Sequence, residues 1–309
     1  MRHVRITGLA ALLALPALAA CAARTANTSV AADEHAGHAM EGSASASASA
    51  SASASAQTVG LPAGNAEAQA RLAASPRHGE WAMFAVPGYP DSVRAWVVYP
   101  ERRDRAPVVV VIHEIFGLSP WIRAVTDQLA ADGFIAVAPD LLTSKNIPGS
   151  PLEPNPDSAR AVIQSLGYDY VHRGIRAAAE YGMRLPAALP RYGVVGFCWG
   201  GSRSFQHAVF APDVGAAVVY YGGSPPNDSL SKVRAPVLGL YGENDARVNA
   251  TIPPADTAMK RMGKVYEPHV FPGAGHGFLR AQDAPGGANL AATREAWPLT
   301  IQWFRRYLK

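Results

Sequence analysis

The stretch Pro107-Val108-Val109-Val110-Val111-Ile112 constrains this chain more than any other. An unbroken apolar run of this length offers no polar face to water, so it predicts a strand buried on both sides, as in a parallel sheet. A parallel sheet needs crossover connections and a helical layer on each face. The rest of the chain supplies them. Apolar runs at 134–138, 192–197, 216–221, 237–241 and 266–271 alternate with helix patterns at 121–132, 157–185, 202–210, 255–262 and 291–308. The segments 81–86 and 94–99 carry β-branched and aromatic residues and read as edge strands. The expected class is α/β, a mostly parallel central sheet with helices on both faces. Such sheets bind ligands at the carboxyl ends of their strands, so candidate chemistry is sought there.

Four strand ends carry it. The run 192–197 leads into Gly196-Phe197-Cys198-Trp199-Gly200, directly before a helix. This is the spacing of a nucleophile elbow, a strand-to-helix turn too sharp to admit side chains at the two glycines. The thiol of Cys198 would project above the sheet beside the first amides of the helix, where the dipole favours thiolate. A small buried cysteine fits the same residues. After 266–271 comes Gly273-Ala274-Gly275-His276-Gly277-Phe278, where His276 has little packing to do. It is a candidate general base, with an idle loop histidine as the alternative. After 237–241 comes Gly242-Glu243-Asn244-Asp245. Asp245 would orient the imidazole and Glu243 competes for that role; a turn-forming aspartate is the plainer reading. His113-Glu114-Ile115-Phe116-Gly117 ends the 107–112 run. A carboxylate there is costly unless partnered. Hydrolases of this architecture draw one oxyanion amide from this loop, here that of Ile115, to act with that of Trp199. The order Cys198, Asp245, His276 is the α/β-hydrolase order. Papain-like enzymes order their groups differently, and the Cys-x-x-Cys of thioredoxin-like proteins is absent.

The beginning of the chain has another character. Residues 1–20 read as a secretory leader, with Arg2, His3 and Arg5 before an apolar run at 9–18 that is short for a bilayer span. Leu18-Ala19-Ala20-Cys21 resembles the bacterial lipobox, which makes Cys21 the expected lipidation site. The chain is then expected to be exported and lipid-anchored at the periplasmic face of a bacterial membrane; an ordinary leader with an incidental Cys21 is the alternative. Residues 21–75, which include the alternating Ser-Ala tract at 43–56, are expected to form a flexible tether, and 76–309 the catalytic domain. His35 and His38 read more readily as solvated linker than as metal ligands. With Cys21 acylated, Cys198 has no disulfide partner, and a lone thiol in an exported protein needs a reason. The formal charge is +4 with no basic stripe interleaved with aromatics, so nucleic acid is not an expected partner.

Taken together, the four motifs resemble the dienelactone hydrolase family from about Trp81 onward. The resemblance implies an α/β-hydrolase fold, a Cys198–His276–Asp245 triad, hydrolysis of small-molecule esters or lactones through a thioester, and no metal or organic cofactor. It also implies that Glu114 interacts with the resting thiol and helps generate the thiolate. Arg280 would hold a substrate carboxylate, and Tyr221 would line the pocket. One position departs: members specific for dienelactone carry a second arginine after the motif matching Pro139-Asp140-Leu141. Here the nearest cation is Lys145, which lacks a bidentate fork. The rival readings are a surface-tethered binding protein that keeps the fold without catalysis, a metal scavenger acting through His35 and His38, and a hydrolase of small esters or thioesters.

Overall fold

The computed structural model describes residues 60–150 and 153–309. The leader, Cys21, the Ser-Ala tract, His35 and His38 lie outside the described residues. One sheet is built from β1 (Gly79–Ala85), β2 (Ser92–Val98), β3 (Ala106–Ile112), β4 (Ile135–Asp140), β5 (Ala188–Phe197), β6 (Ala216–Tyr220), β7 (Val237–Asn244) and β8 (Tyr266–Gly275). Its spatial order is β1-β2-β4-β3-β5-β6-β7-β8. The pairs β1–β2 and β2–β4 are antiparallel and every other pair is parallel. The helices are α1 (Ala68–Ala73), α2 (Pro120–Ala131), α3 (Pro156–Ser165), α4 (Tyr168–Arg184), α5 (Trp199–Phe210), α6 (Ala246–Asn249), α7 (Ile252–Arg261) and α8 (Ala288–Tyr307).

Alternation along β3 divides the interior into two cores. Val108, Val110 and Ile112 pack on one face with Ile175 and Ala178 of α4, Phe205 of α5 and Met259 of α7. Val109 and Val111 pack on the other with Trp121, Ile122 and Val125 of α2 and Phe304 of α8. Every residue of β3 is buried, which is the sheet the valine run demands.

Three expectations change. The segment 94–99 is not at an edge, because β2 lies between β1 and β4. The pattern at 157–185 forms two helices, since Leu166 and Gly167 take extended backbone with ψ of 123° and 142° between α3 and α4. The expected tether ends too late: residues 60–75 pack on the body rather than hang from it. Leu61, Ala63 and Ala68 are buried in the second core. The carbonyls of Pro62 and Ala63 accept hydrogen bonds from Gln282 Nε2 (2.9 Å) and Trp121 Nε1 (3.0 Å). Among the described residues, no helix is long and apolar enough to cross a membrane.

Candidate active site

The turn between β5 and α5 is a single residue. β5 ends at Phe197, α5 begins at Trp199, and Cys198 between them stands at φ 57°, ψ −115°. This conformation is costly for any residue with a Cβ and persists only where the surroundings impose it. They do so by close approach. A Cβ on Gly196 would lie 1.9 Å from the carbonyl oxygen of Gly200, and one on Gly200 would lie 2.3 Å from that of Ile112. The Cys198 amide donates to Tyr220 O (3.0 Å), and its carbonyl accepts from Ser202 N (3.2 Å). The helix starts three residues earlier than the sequence pattern suggests, so Cys198 is itself the residue that precedes the first helical amide.

His276 Nδ1 lies 2.5 Å from Asp245 Oδ2. Asp245 is buried, and its other oxygen accepts from Val248 N (3.4 Å), so one carboxylate both opens α6 and holds the imidazole. Glu243 is excluded from that pairing: it is exposed and accepts from Gly273 N (2.8 Å). Tyr221 is fully buried at φ 40° with its ring 5.2 Å from that of His276. Its hydroxyl has no hydrogen-bond partner among the described residues. Burial raises its pKa well above the phenol range, and the charges of Glu114 and Cys198 add to this. No hydrogen bond joins His276 to the sulfur in this resting arrangement, a looseness usual for a site without substrate.

Glu114 is only 3% exposed. Burial pushes its pKa up to about 7, while Arg280 pulls it down. Arg280 Nε is 3.1 Å from Glu114 Oε2. That nitrogen has no aligned acceptor, so the contact is ionic rather than a directed hydrogen bond. The Arg280 guanidinium lies 5.3 Å from the Phe116 ring centroid. Burial also pushes the Cys198 thiol up to about 11, and Glu114 adds to the rise; the Trp199 amide, Arg247 and Arg280 pull it back. The sulfur is therefore a thiol at rest. Helix amides alone were expected to favour thiolate, but desolvation outweighs them.

The loop that presents Glu114 is held by a neighbour to which the sequence gave no role. His113 is fully buried and burial lowers its pKa, so it is neutral. Its Nε2 accepts from Leu141 N (3.3 Å), which leaves the proton on Nδ1 to be donated to Glu114 O (2.7 Å). Its ring stacks on Trp199 at 5.7 Å and 13°. Ile115 and Trp199 meet in a small apolar cluster with Leu142, Ala159 and Ile163. The Ile115 amide donates to no backbone carbonyl among the described residues.

The structure thus brings together Cys198, Glu114, Arg280, Tyr221, Trp199 and Ile115, with His276 and Asp245 alongside. It does not bring Lys145 to them. Its ammonium pairs with Asp91 (2.7 Å) and lies over the Tyr170 ring at 4.4 Å, turned to the β1–β2 connection. Sequence reasoning missed Arg247, two residues after Asp245, whose charge reaches the sulfur. A cation so near the candidate carboxylate Asp245 was the available signal.

Comparison with known proteins bears on the family and the fold. The profile of the Dienelactone hydrolase family matches residues 93–308. A protein of Salmonella typhimurium named "Putative carboxymethylenebutenolidase" is 29% identical over 263 residues, covering 80% of this chain and 96% of its own length. A protein of the same name from Methylorubrum extorquens is 30% identical, covering 70% of this chain and 77% of its own. A solved structure from Klebsiella pneumoniae, described as a "Putative Dienelactone Hydrolase", superposes with a TM-score of 0.64 at 26% identity, covering 74% of this chain and all of that one. A dienelactone hydrolase from Anabaena variabilis, at 21% identity and a TM-score of 0.56 over 75% of this chain and 99% of its own, shares the fold. With the elbow, the sheet order and the family match in agreement, the chain belongs to the dienelactone hydrolase family and is a hydrolase of the α/β-hydrolase fold.

Proposed function

We propose that the protein hydrolyses carboxylic esters or lactones through a thioester on Cys198. The observation that carries this reading is the elbow: a half-buried sulfur held in a strained conformation at the carboxyl end of β5, beside the first amide of α5. Strain of this kind is retained where it serves a site. Glu114 takes the thiol proton, becoming neutral as its burial favours. The sulfur lone pair attacks the substrate carbonyl carbon, and the developing oxyanion takes hydrogen bonds from the amides of Trp199 and Ile115. Collapse breaks the carbon–oxygen bond to the leaving group, which receives a proton from His276. His276, oriented by Asp245, then takes a proton from water as the hydroxide adds to the thioester. Expulsion of the thiolate and return of the proton from Glu114 restore the thiol. Arg280 and Tyr221 line the substrate's path. Lys145, committed to Asp91, takes no part, so the substrate need not carry a second carboxylate anchor.

Turnover of p-nitrophenyl acetate and of a lactone series by wild type and Cys198→Ala tests this. The variant should lose at least about 10³-fold in kcat, the scale of losing a nucleophile from a site that keeps its oxyanion donors. Equal rates would remove Cys198 from the chemistry. We also propose that Leu18-Ala19-Ala20-Cys21 directs lipidation and export to a bacterial membrane, a reading supported by the sequence pattern alone. Incorporation of labelled palmitate that persists in Cys21→Ser would exclude it.

A further inference from the structure

Arg280, which pairs with Glu114, also lines a cleft of about 400 Å³. Asn65, Ala66, Gln69, Phe116, Pro120 and Arg280 line it. One wall comes from the loops that carry Glu114 and His276, with Pro156 at the start of α3. The other comes from residues 60–74, a segment outside the family match at 93–308. We propose that this cleft is a substrate subsite and that residues 65–69 set its specificity. It admits esters whose acyl or alcohol part is a flat, ring-sized apolar group with a neutral hydrogen-bonding end. This deepens the proposed function and rests on it for the position of the ester carbonyl at Cys198.

The wall is rigidly attached. Asn65 N donates to the backbone carbonyl of Arg280 itself (2.8 Å). Gln282 Nε2 and Trp121 Nε1 clamp Pro62 and Ala63. Arg71 Nη2 donates to Leu61 O (3.3 Å) and reaches Gln128 Oε1 (3.4 Å). A wall so held can recognise a ligand without first being ordered, which spares the entropy of closing a loop.

Arg280 joins the two compartments. Its Nε faces Glu114, its charge reaches the Cys198 sulfur, and its guanidinium lies over Phe116. A substrate with its carbonyl at the sulfur therefore extends past Arg280 onto Phe116 and Pro120, an aromatic ring and a proline that suit a flat apolar body. The far end meets the side-chain amides of Asn65 and Gln69, both exposed and without side-chain hydrogen bonds among the described residues. Uncharged amides serve a hydroxyl or carbonyl better than an anion. The cleft lies within the size range of pockets that enclose a small organic ligand.

Hydrolysis of methyl acetate, methyl 3-(4-hydroxyphenyl)propanoate and 4-hydroxyphenethyl acetate by the full chain tests the subsite, the two larger esters separating the acyl from the alcohol side. Ala66→Trp fills the cleft and should lower kcat/KM for one larger ester, relative to methyl acetate, by about tenfold or more, the range expected when a pocket rejects a group it was shaped to admit. Gln69→Ala should raise KM for the same ester with kcat retained. A larger-to-small ratio within twofold of wild type in both variants, with unchanged thermal unfolding, overturns the proposal. The Kd of the unreacted larger esters, measured in a Cys198→Ala background, separates the two readings. If Ala66→Trp raises KM for that larger ester relative to methyl acetate while Cys198→Ala hydrolyses as fast as wild type, the cleft stands and the nucleophile falls. If binding is indifferent to Ala66→Trp, the subsite falls whatever the chemistry.

Discussion

Glu114 and Cys198 share a poorly solvated space, so the charge of one governs the proton of the other. Burial lifts Glu114 to about 7 and the thiol to about 11, and the carboxylate contributes to the second rise. Glu114→Gln removes that charge and keeps the shape. Iodoacetamide labelling of Cys198, read on its own peptide by mass, should then follow a profile displaced to lower pH. A profile that stays in place would show that burial alone sets the thiol. The same substitution has a stability signature. The folded pKa of Glu114 lies above its ordinary value, so between about 4.5 and 7 the folded state binds more protons than the unfolded one, and stability falls as pH rises through that window. The full penalty for ionising this nearly unexposed group is about 3 kcal/mol as an upper bound. Urea unfolding of Glu114→Gln at pH 4.5 and 7.5 should lack that decline.

Between elements, the seam of α4 and α5 holds a second buried pair. His172 Nδ1 and His207 Nδ1 are 3.3 Å apart, and His207 Nε2 meets Tyr192 Oη at 3.2 Å. Both rings are fully buried and stack with Phe210. Burial lowers His172 to about 3, with Arg203 adding to the fall while Gln206 and Asp169 oppose it; burial, His172 and Arg176 lower His207. The sign is opposite to that of Glu114. The unfolded chain protonates these rings below about 6.5 and the folded one does not, so stability is whole above that pH and lost as pH falls towards about 3. For His172 alone this amounts to about 2 kcal/mol between pH 7.5 and pH 5. His172→Phe should be less stable at pH 7.5, because His207 Nδ1 loses its neighbour. It should also show a shallower decline to pH 5; an undiminished slope would place the acid sensitivity elsewhere. Since α5 carries the elbow at its start, acid that opens this seam should also loosen Cys198. This layer shows which elements are legible in a sequence. The strands of the two cores and the strand-end loops were legible, because buried valine runs and glycine spacing answer to local rules. Cys198, Asp245, His276 and Glu114 fell out of those loops. The break at Leu166-Gly167 was not foreseen, since the apolar pattern continues through it, and a glycine was its only sign. Nor was the role of His113, whose partners Leu141 and Trp199 are distant in sequence.

At the scale of the whole molecule, the feature hardest to foresee is how the beginning of the described chain holds its end. Residues 60–75 are rich in small and polar residues and show no strong period. Their partners lie far along the chain, Gln282 some 220 positions from Pro62. Yet the loop they clamp, 276–282, carries both His276 and Arg280. Its internal ties are short-range: Arg280 N and Ala281 N to Gly277 O, and Gln282 Nε2 to Leu279 O. Its long-range ties are the pairs His276–Asp245 and Arg280–Glu114 on the inner side and those to Pro62 and Asn65 on the outer. Removing 60–75 forfeits the burial of Leu61, about 2–3 kcal/mol. It also deprives the Trp121 indole of its acceptor, at about 1–3 kcal/mol where water does not replace it, and leaves the Gln282 amide with Leu279 O alone. A chain beginning at residue 76 should therefore unfold at a clearly lower temperature than one beginning at residue 60. Its deficit should appear in activity before it appears in folding. Well below its melting temperature, kcat/KM should already fall for methyl acetate as well as for the larger esters, because the loop bearing His276 and Arg280 has lost its outer anchor. Equal melting temperatures and equal rates in the two chains would mean that 60–75 only lies against the body. A lower melting temperature with undiminished rates would confine its role to stability.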